Sequence, residues 1–285
     1  MAIIIDGKTH AAKIKQNVKE RIAAMSAEGK RPPAFAVVLA GENPASLVYI
    51  KGKEKACAET GIHFTCHRLE EHTPQKDLLA LINNLNADEN VDGILVQQPF
   101  PKHIEKQTVL SAIAPNKDVD CLHPANIGLY MAGRGTFLPC TPAGIMRLLN
   151  EYNIPVEGKR CVIIGRSDVV GKPLSMLMLA QNATVTICHS YTRNLPEITR
   201  SADILVAAIG KPRFVTADMV KRGCVAIDVG VNRLEGRKVC GDFDYAACFD
   251  KAAYITPVPG GVGPMTIAML TENCLKAREA ARSSN

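Results

Sequence analysis

Tyr49 and Lys53 stand four residues apart in Ser46-Leu-Val-Tyr-Ile-Lys-Gly-Lys53, a spacing that sets an aromatic plate beside an amine on one face of a helix. Such a pair can stack a flat heterocycle and move a proton next to it. Taken alone, the same stretch also reads as a solvated face, because Lys51, Lys53, Glu54 and Lys55 crowd together. A second group lies further on, where Cys161-Val-Ile-Ile164 runs into Gly165-Arg-Ser-Asp-Val-Val-Gly171 and a helical stretch. In that setting backbone N–H groups cradle a pyrophosphate. The match to G-x-G-x-x-G is incomplete, since Arg166-Ser167 replaces the second glycine. A plain glycine turn joining strand to helix stays open. A triphosphate loop fails, because five residues separate Gly165 from Gly171 and Pro173 stands where a magnesium-binding hydroxyl is needed. The next strand ends Cys188-His189-Ser190, without a carboxylate for a ribose, and with Arg166 nearby that end favours a 2′-phosphate.

Other polar groups sit where loops gather. Asp118 and Asp120, in Lys117-Asp-Val-Asp-Cys-Leu-His123, read first as loop caps. His123 has no second His, Cys or Asp at metal spacing, so no metal is expected. Gly260, Gly261 and Gly263 either let backbone approach a ligand closely or make a tight loop. There is no G-x-S-x-G.

The elements that must hold these groups follow an alternating pattern. A first helix carries Ile14, Val18, Ile22 and Met25 on one stripe, and Gly29 with Pro32-Pro33 ends it. Ala34–Ala40 is apolar throughout, as in a parallel strand covered on both faces. It feeds the Tyr49/Lys53 helix, capped by Asn43, with Pro44 at its first position and Gly61 closing it. A strand from Ile62 to Arg68, a helix with Leu78, Leu79, Ile82 and Leu85, and a strand from Val91 to Gln97 follow. Residues 99–142 are rich in Pro, Gly and Asn, with one short helix around Thr108 to Ala114. Thr141-Pro142 then starts a linking helix bearing Ile145, Leu148, Leu149 and Tyr152, which Gly158 stops. The second set has strands Cys161–Ile164, Thr184–Cys188, Ile204–Ile209, Cys224–Val229 and Tyr254–Thr256, helices from Pro173 to Gln181 and near Leu195, and a hairpin turn at Arg233–Arg237. Pro257–Pro264 reads as irregular, the last helix carries Ile267, Leu270, Cys274 and Leu275, and the chain frays after Ala280.

This alternation predicts an α/β fold of two lobes, each a mostly parallel sheet with helices on both faces, the second of Rossmann type. A chain of 285 residues, 47% of them hydrophobic, has room for two cores. No apolar run approaches the roughly 18 residues of a membrane span, and Met1–Asp6 is too short for a signal peptide's apolar region, so a cytosolic protein is expected. Ten cysteines without any C-x-x-C predict free, buried thiols. The net charge of +6, with no Lys/Arg block and no Trp, suits an anionic small molecule better than nucleic acid or membrane.

Taken together, Tyr49-x-x-x-Lys53, Gly93-Ile-Leu-Val-Gln97, Lys117-Asp-Val-Asp120, Pro139-Cys-Thr-Pro142, Gly165-Arg-Ser167 with Val170-Gly171, and Pro257–Thr266 cover the chain from end to end. In that order they resemble the bifunctional methylenetetrahydrofolate dehydrogenase/cyclohydrolase family. The resemblance implies a folate-binding catalytic domain at 1–140 with the C-terminal helix 265–285 packing back on it, and an NADP-binding domain at 141–264. It implies oxidation of 5,10-methylenetetrahydrofolate with NADP, then hydrolysis of the methenyl product to 10-formyltetrahydrofolate, in one-carbon metabolism. Tyr49 would stack on the folate, Asp120 would bind the pterin amidine, Gln97 would orient Lys53, and Lys53 would activate water. Gly165, Arg166, Ser167, Ser190 and Val231 would hold the cofactor, and Pro259, Gly260 and Gly261 would border the folate. The family expectation extends to a polyglutamylated folate and a homodimer through the second lobe. An ordinary lysine titrates near 10.4, so at neutral pH fewer than about one in a thousand is a free amine, and Lys53 needs desolvation or a neighbouring cation. Two motifs depart from the family: Gln98 and Phe100 stand where aliphatic residues are usual, and Cys121-Leu122 where Gly-Phe is usual. A monofunctional dehydrogenase would lack a working Lys53. A non-catalytic dinucleotide sensor would show no folate-dependent absorbance change with NADP⁺.

Overall fold

The computed structural model describes residues 1–235 and 239–281. In chain order its elements begin with β1 (Ile3–Ile4), α1 (Gly7–Ala27), β2 (Ala34–Ala40), α2 (Pro44–Thr60), β3 (His63–Leu69), α3 (Gln75–Ala87) and β4 (Gly93–Val96). Three helices follow: α4 (Lys106–Ala112), α5 (Pro124–Met131) and α6 (Cys140–Glu151). The remaining strands are β5 (Arg160–Ile164), β6 (Thr184–Cys188), β7 (Ile204–Ala207), β8 (Val225–Asp228), β9 (Asn232–Arg233), β10 (Val239–Cys240) and β11 (Tyr254–Ile255). Between them lie α7 (Gly171–Ala180), α8 (Leu195–Arg200) and α9 (Tyr245–Phe249), and α10 (Val262–Ala280) closes the described chain.

The chain divides into two compact units. One comprises Lys13–Leu138 with Ile267–Asn285, the other Met1–Ala12 with Pro139–Thr266. In the first, β3, β2 and β4 form a parallel sheet in that order. Every residue of β2 and β4 is buried, so apolar side chains must leave both faces of each strand, and a two-sided cover follows. Leu78, Ile82, Val109 and Ile113 fill the core against Val38, Ile94 and Val96. From Ile267 onward α10 belongs here as well: Asn273 donates from Nδ2 to the Val119 and Leu138 carbonyls at 2.9 and 3.0 Å, and Arg21 meets Glu279 at 2.7 Å.

In the second unit six strands run parallel in the order β1-β11-β8-β7-β5-β6. The chain leaves β5 for β6 on one side and returns to β7 on the other, so the crossovers diverge at the carboxyl end of β5, where Gly165 begins its loop. Strands β9 and β10 pair antiparallel. The turn expected at Arg233–Arg237 falls partly on 236–238, outside the described residues, as does the tail after Ala281.

Four differences from the sequence reading have physical reasons. Helix α5 lies inside the segment expected to hold one helix; His123 caps it through Nδ1, which accepts from the Ala125 N–H at 3.0 Å, and Pro124 suits its first turn. α6 starts one residue before Thr141 and stops at Glu151, where Asn153 turns the chain at φ 52°, well before Gly158. α10 starts at Val262 and includes Pro264, whose missing N–H falls in a first turn that needs none. The N-terminal Ile3–Ile4 pairs as an edge strand with β11. None of the ten cysteines forms a disulfide, and eight of them are buried.

Candidate active site

Each sheet delivers its functional loops at one edge, because all its strands point the same way. In the first unit α2 follows β2, Gln97 follows β4, and the Asp118–Asp120 loop runs alongside, with the Ile94 N–H donating to the Lys117 carbonyl at 2.8 Å. α2 is fixed at its start by Asn43, whose Oδ1 accepts from the Ser46 N–H at 3.3 Å. At its end Gly61, at φ 85°, and Ile62 return their N–H groups to the Cys57 carbonyl at 2.9 and 3.0 Å. Lys53 Nζ donates to Gln97 Oε1 at 2.7 Å, and Gln97 Nε2 donates to the Gln98 carbonyl at 2.7 Å. That second bond fixes which amide atom faces the lysine. The same Gln98 carbonyl accepts from the buried Ser46 hydroxyl at 3.2 Å.

Tyr49, one turn before Lys53, is 44% exposed, an aromatic face turned to solvent on a helix that otherwise buries Ile50, Ala56 and Cys57. Asp120 and Lys53 both act electrostatically on the buried Cys274 thiol, the carboxylate raising it and the amine lowering it. Burial pushes that thiol well above its usual range and pushes Cys57 up to about 12, so neither competes as an anion for Lys53. Asp118 is the loop cap: its carboxylate accepts from the Leu122 and His123 N–H groups at 3.1 and 2.8 Å and from Asn126 Nδ2 at 2.9 Å. A cavity of about 750 Å³ opens at the amino edge of the same sheet, where Arg31 and Asp92 precede β2 and β4. It is remote from Gln97. Two of its cations are met within the protein, Arg31 by Asp92 at 2.6 Å and Lys117 by the carbonyls of Leu85, Asn86 and Asp88.

The second unit carries the remaining predicted residues. Gly165, at φ 123°, brings its backbone so close to the Ala208 carbonyl that a Cβ there would stand 2.4 Å from the oxygen. A Cβ on Gly171 would lie 2.1 Å from the Gly165 carbonyl, so both glycines are needed for the loop to fold over the start of α7. Arg166, Ser167 and Ser190 are exposed beside that loop. Val231, 48% exposed, follows β8. Pro259, Gly260 and Gly261 lie between β11 and α10, where the Gly260 carbonyl accepts from the Lys8 N–H at 3.0 Å and Gly261 bonds back to Pro257 at 2.9 Å. A dinucleotide fits this loop set: a helix start framed by glycines, an exposed guanidinium, and no carboxylate at the end of β6.

Two carboxylates that the sequence reading passed over shape the neighbouring loops. Asp242 accepts from the N–H groups of Ile209, Gly210 and Lys211 at 2.7, 3.1 and 2.9 Å and from Asn232 Nδ2 at 2.9 Å. Asp228 accepts from Gly230, Asp242 and Phe243 at 3.1, 2.8 and 3.0 Å. Burial raises the Asp228 carboxyl to about 7 despite those donors, and the adjacent Asp242 charge pushes the same way. The available signal was Gly230 and Gly241, where any side chain would strike these carboxylates.

Comparison with known proteins also finds two parts. Residues 5–120 match the model of the tetrahydrofolate dehydrogenase/cyclohydrolase catalytic domain, and residues 139–282 match that family's NAD(P)-binding domain. The bifunctional protein FolD of Acetivibrio thermocellus is 52% identical over 276 residues, 97% of this chain and 96% of that protein. The crystal structure of the bifunctional FolD of Campylobacter jejuni superposes with a TM-score of 0.96 at 48% identity, covering 99% of this chain and 100% of that one. The Trypanosoma brucei FolD, solved with NADP cofactor and an inhibitor, gives 0.94 at 35% identity, over 99% of this chain and 98% of that one. With both domain models matched in order and half the residues identical along nearly the whole length, the chain belongs to the tetrahydrofolate dehydrogenase/cyclohydrolase family.

Proposed function

We propose that this protein oxidises 5,10-methylenetetrahydrofolate to 5,10-methenyltetrahydrofolate with NADP⁺ and hydrolyses the product to 10-formyltetrahydrofolate. The observation that carries the reading is the 2.7 Å contact between Lys53 and Gln97 on the helix that also bears Tyr49. NADP⁺, when bound, supplies the hydride acceptor of the first reaction. Gly165, Arg166, Ser167, Ser190 and Val231 hold it, with the Arg166 guanidinium and the Ser190 hydroxyl on the 2′-phosphate. Hydride leaves the methylene carbon without a protein base, so this step asks only for positioning. Tyr49 supplies it by stacking on the folate, Asp120 by binding the pterin amidine, and Pro259, Gly260 and Gly261 by backbone contact.

The second reaction makes a different demand. Water adds to the cationic methenyl carbon, and its proton must leave as the C–O bond forms. Lys53 manages that proton, as a base or by holding the water through its hydrogen bonds, and Gln97 fixes the direction of Nζ. The ring C–N bond then breaks, leaving the formyl group on one nitrogen and a proton on the other. A polyglutamylated folate and a homodimer through the second lobe rest on the family resemblance alone, and a cytosolic location rests on the sequence pattern. Among the described residues no helix is long and apolar enough to cross a membrane.

Lys53→Met keeps the length of the side chain and deletes the amine. The cyclohydrolase is expected to fall by roughly a hundred- to ten-thousandfold while part of the dehydrogenase survives, so that methenyltetrahydrofolate accumulates and is seen by its absorbance. Hydrolysis at the parental rate, above the spontaneous background, would remove Lys53 from the mechanism.

A further inference from the structure

Tyr191 is the most exposed tyrosine or phenylalanine among the described residues, at 79%, and it stands on a turn whose backbone is held by hydrogen bonds. The turn His189–Thr192 is closed twice, by the His189 N–H on Thr192 Oγ1 at 2.8 Å and by the Thr192 N–H on the His189 carbonyl at 2.9 Å. The Tyr191 N–H donates to His189 Nδ1 at 3.2 Å, and the two rings meet edge to face with centroids 6.1 Å apart. This turn follows β6 directly, so the strand that ends at Cys188 sets where the ring stands. It stands against Arg166, whose guanidinium carbon lies 5.6 Å from the ring centroid. A cation in the loop after β5 is thereby placed over a ring that arrives from the neighbouring strand.

From this geometry we infer that Tyr191 is a specificity-determining residue for the cofactor: it positions the Arg166 guanidinium beside Ser190 for the 2′-phosphate. The inference rests on the reading that Arg166 binds that phosphate. An arginine left mobile loses side-chain entropy when it meets an anion, whereas one already held over a ring loses less. The attraction between guanidinium and ring at an exposed site corresponds to about a two- to fivefold change in affinity. NAD⁺, which lacks the phosphate, gains nothing from it. Tyr191 touches no reacting atom, so its effect belongs in the KM for NADP⁺ and leaves kcat alone.

Tyr191→Ala, Tyr191→Phe, Arg166→Ala and the double alanine variant, assayed as dehydrogenases with NADP⁺ and NAD⁺ at saturating folate, test this. Tyr191→Ala is expected to raise the KM for NADP⁺ about two- to fivefold, with the KM for NAD⁺, kcat and the unfolding midpoint unchanged. Tyr191→Phe keeps the ring and is expected to behave as the parent. In the Arg166→Ala background, removing the ring is expected to add nothing. A parental KM for NADP⁺ in Tyr191→Ala overturns the inference, and so does an equal rise for both cofactors, which would place the ring on the part they share. Full additivity of the two alanine substitutions overturns it as well. If Arg166→Ala alone leaves the NADP⁺ preference intact, the phosphate reading of Arg166 fails first and this inference with it.

Discussion

Gln98 and Phe100, the two departures from the family pattern beside Gln97, serve different ends. Gln98 works through its backbone, its carbonyl holding both the Gln97 amide and the Ser46 hydroxyl. Phe100 packs its ring against the core cluster that contains Val38, Ile82 and Val96. Replacing the ring by a smaller aliphatic group takes apolar contacts from that core, so Phe100→Leu should cost about 1 kcal/mol of stability and leave the KM for folate within about twofold. Urea unfolding and folate kinetics on the same preparation check this; a raised KM at unchanged stability would place Phe100 at the folate. Cys121, where the family resemblance leads one to expect glycine, sits at φ 58°, its buried thiol directed to the Phe137 carbonyl at 3.5 Å. At this scale the sequence conveys the chemistry of single groups, such as an amine four residues from a ring. It does not convey Asp228 and Asp242, whose role is to accept from backbone N–H groups of loops that are distant in sequence.

Secondary elements were legible where pattern and punctuation agreed. β2 and β6 span the expected residues because an all-apolar run and an edge strand each end at a clear turn, and α2 has the expected cap, first-turn proline and closing glycine. α5 and the first turn of α10 escaped because proline and glycine at a helix start look like loop until the cap is seen. Between the elements, close packing is set by residues that carry no pattern. Gly93 opens β4, and a Cβ there would lie 2.8 Å from Val119 Cγ1 and 3.4 Å from Cys274 Sγ. Val119 is fully buried between the carboxylates Asp118 and Asp120, so it can yield only by moving that loop. Gly93→Ala is therefore expected to cost about 1–3 kcal/mol by overpacking and to weaken folate binding through Asp120. Denaturant unfolding together with the KM for folate tests both parts; an unchanged midpoint would mean that the core has room the geometry denies.

For the molecule as a whole, fold class and thiol chemistry followed from composition and alternation, since strands separated by helices admit few topologies. Its response to pH depends on contacts that form in the fold. Asp6, Glu59 and Asp203 have carboxyls held below the usual range, chiefly by side-chain hydrogen bonds from Thr9, Lys15 and Lys221. Their stabilisation is present above the ordinary carboxylate range and is lost as pH falls through their lowered values. Asp228 runs the other way. Unfolded, it ionises near 3.9, while in the fold burial holds it protonated up to about 7. Between these values the folded chain binds a proton that the unfolded chain has released, so stability falls as pH rises. The contribution is complete below about pH 4 and gone above about pH 7, with a slope of at most about 1.4 kcal/mol per pH unit. Asp228→Asn keeps the shape and removes the titration. Urea unfolding from pH 5 to 8 should show the parent losing stability relative to the variant across that window, whatever the variant's own offset. The histidines and the low-titrating carboxylates are common to both proteins and cancel in the difference. Parallel curves would mean that Asp228 is already ionised in the fold, its three backbone donors outweighing the loss of water.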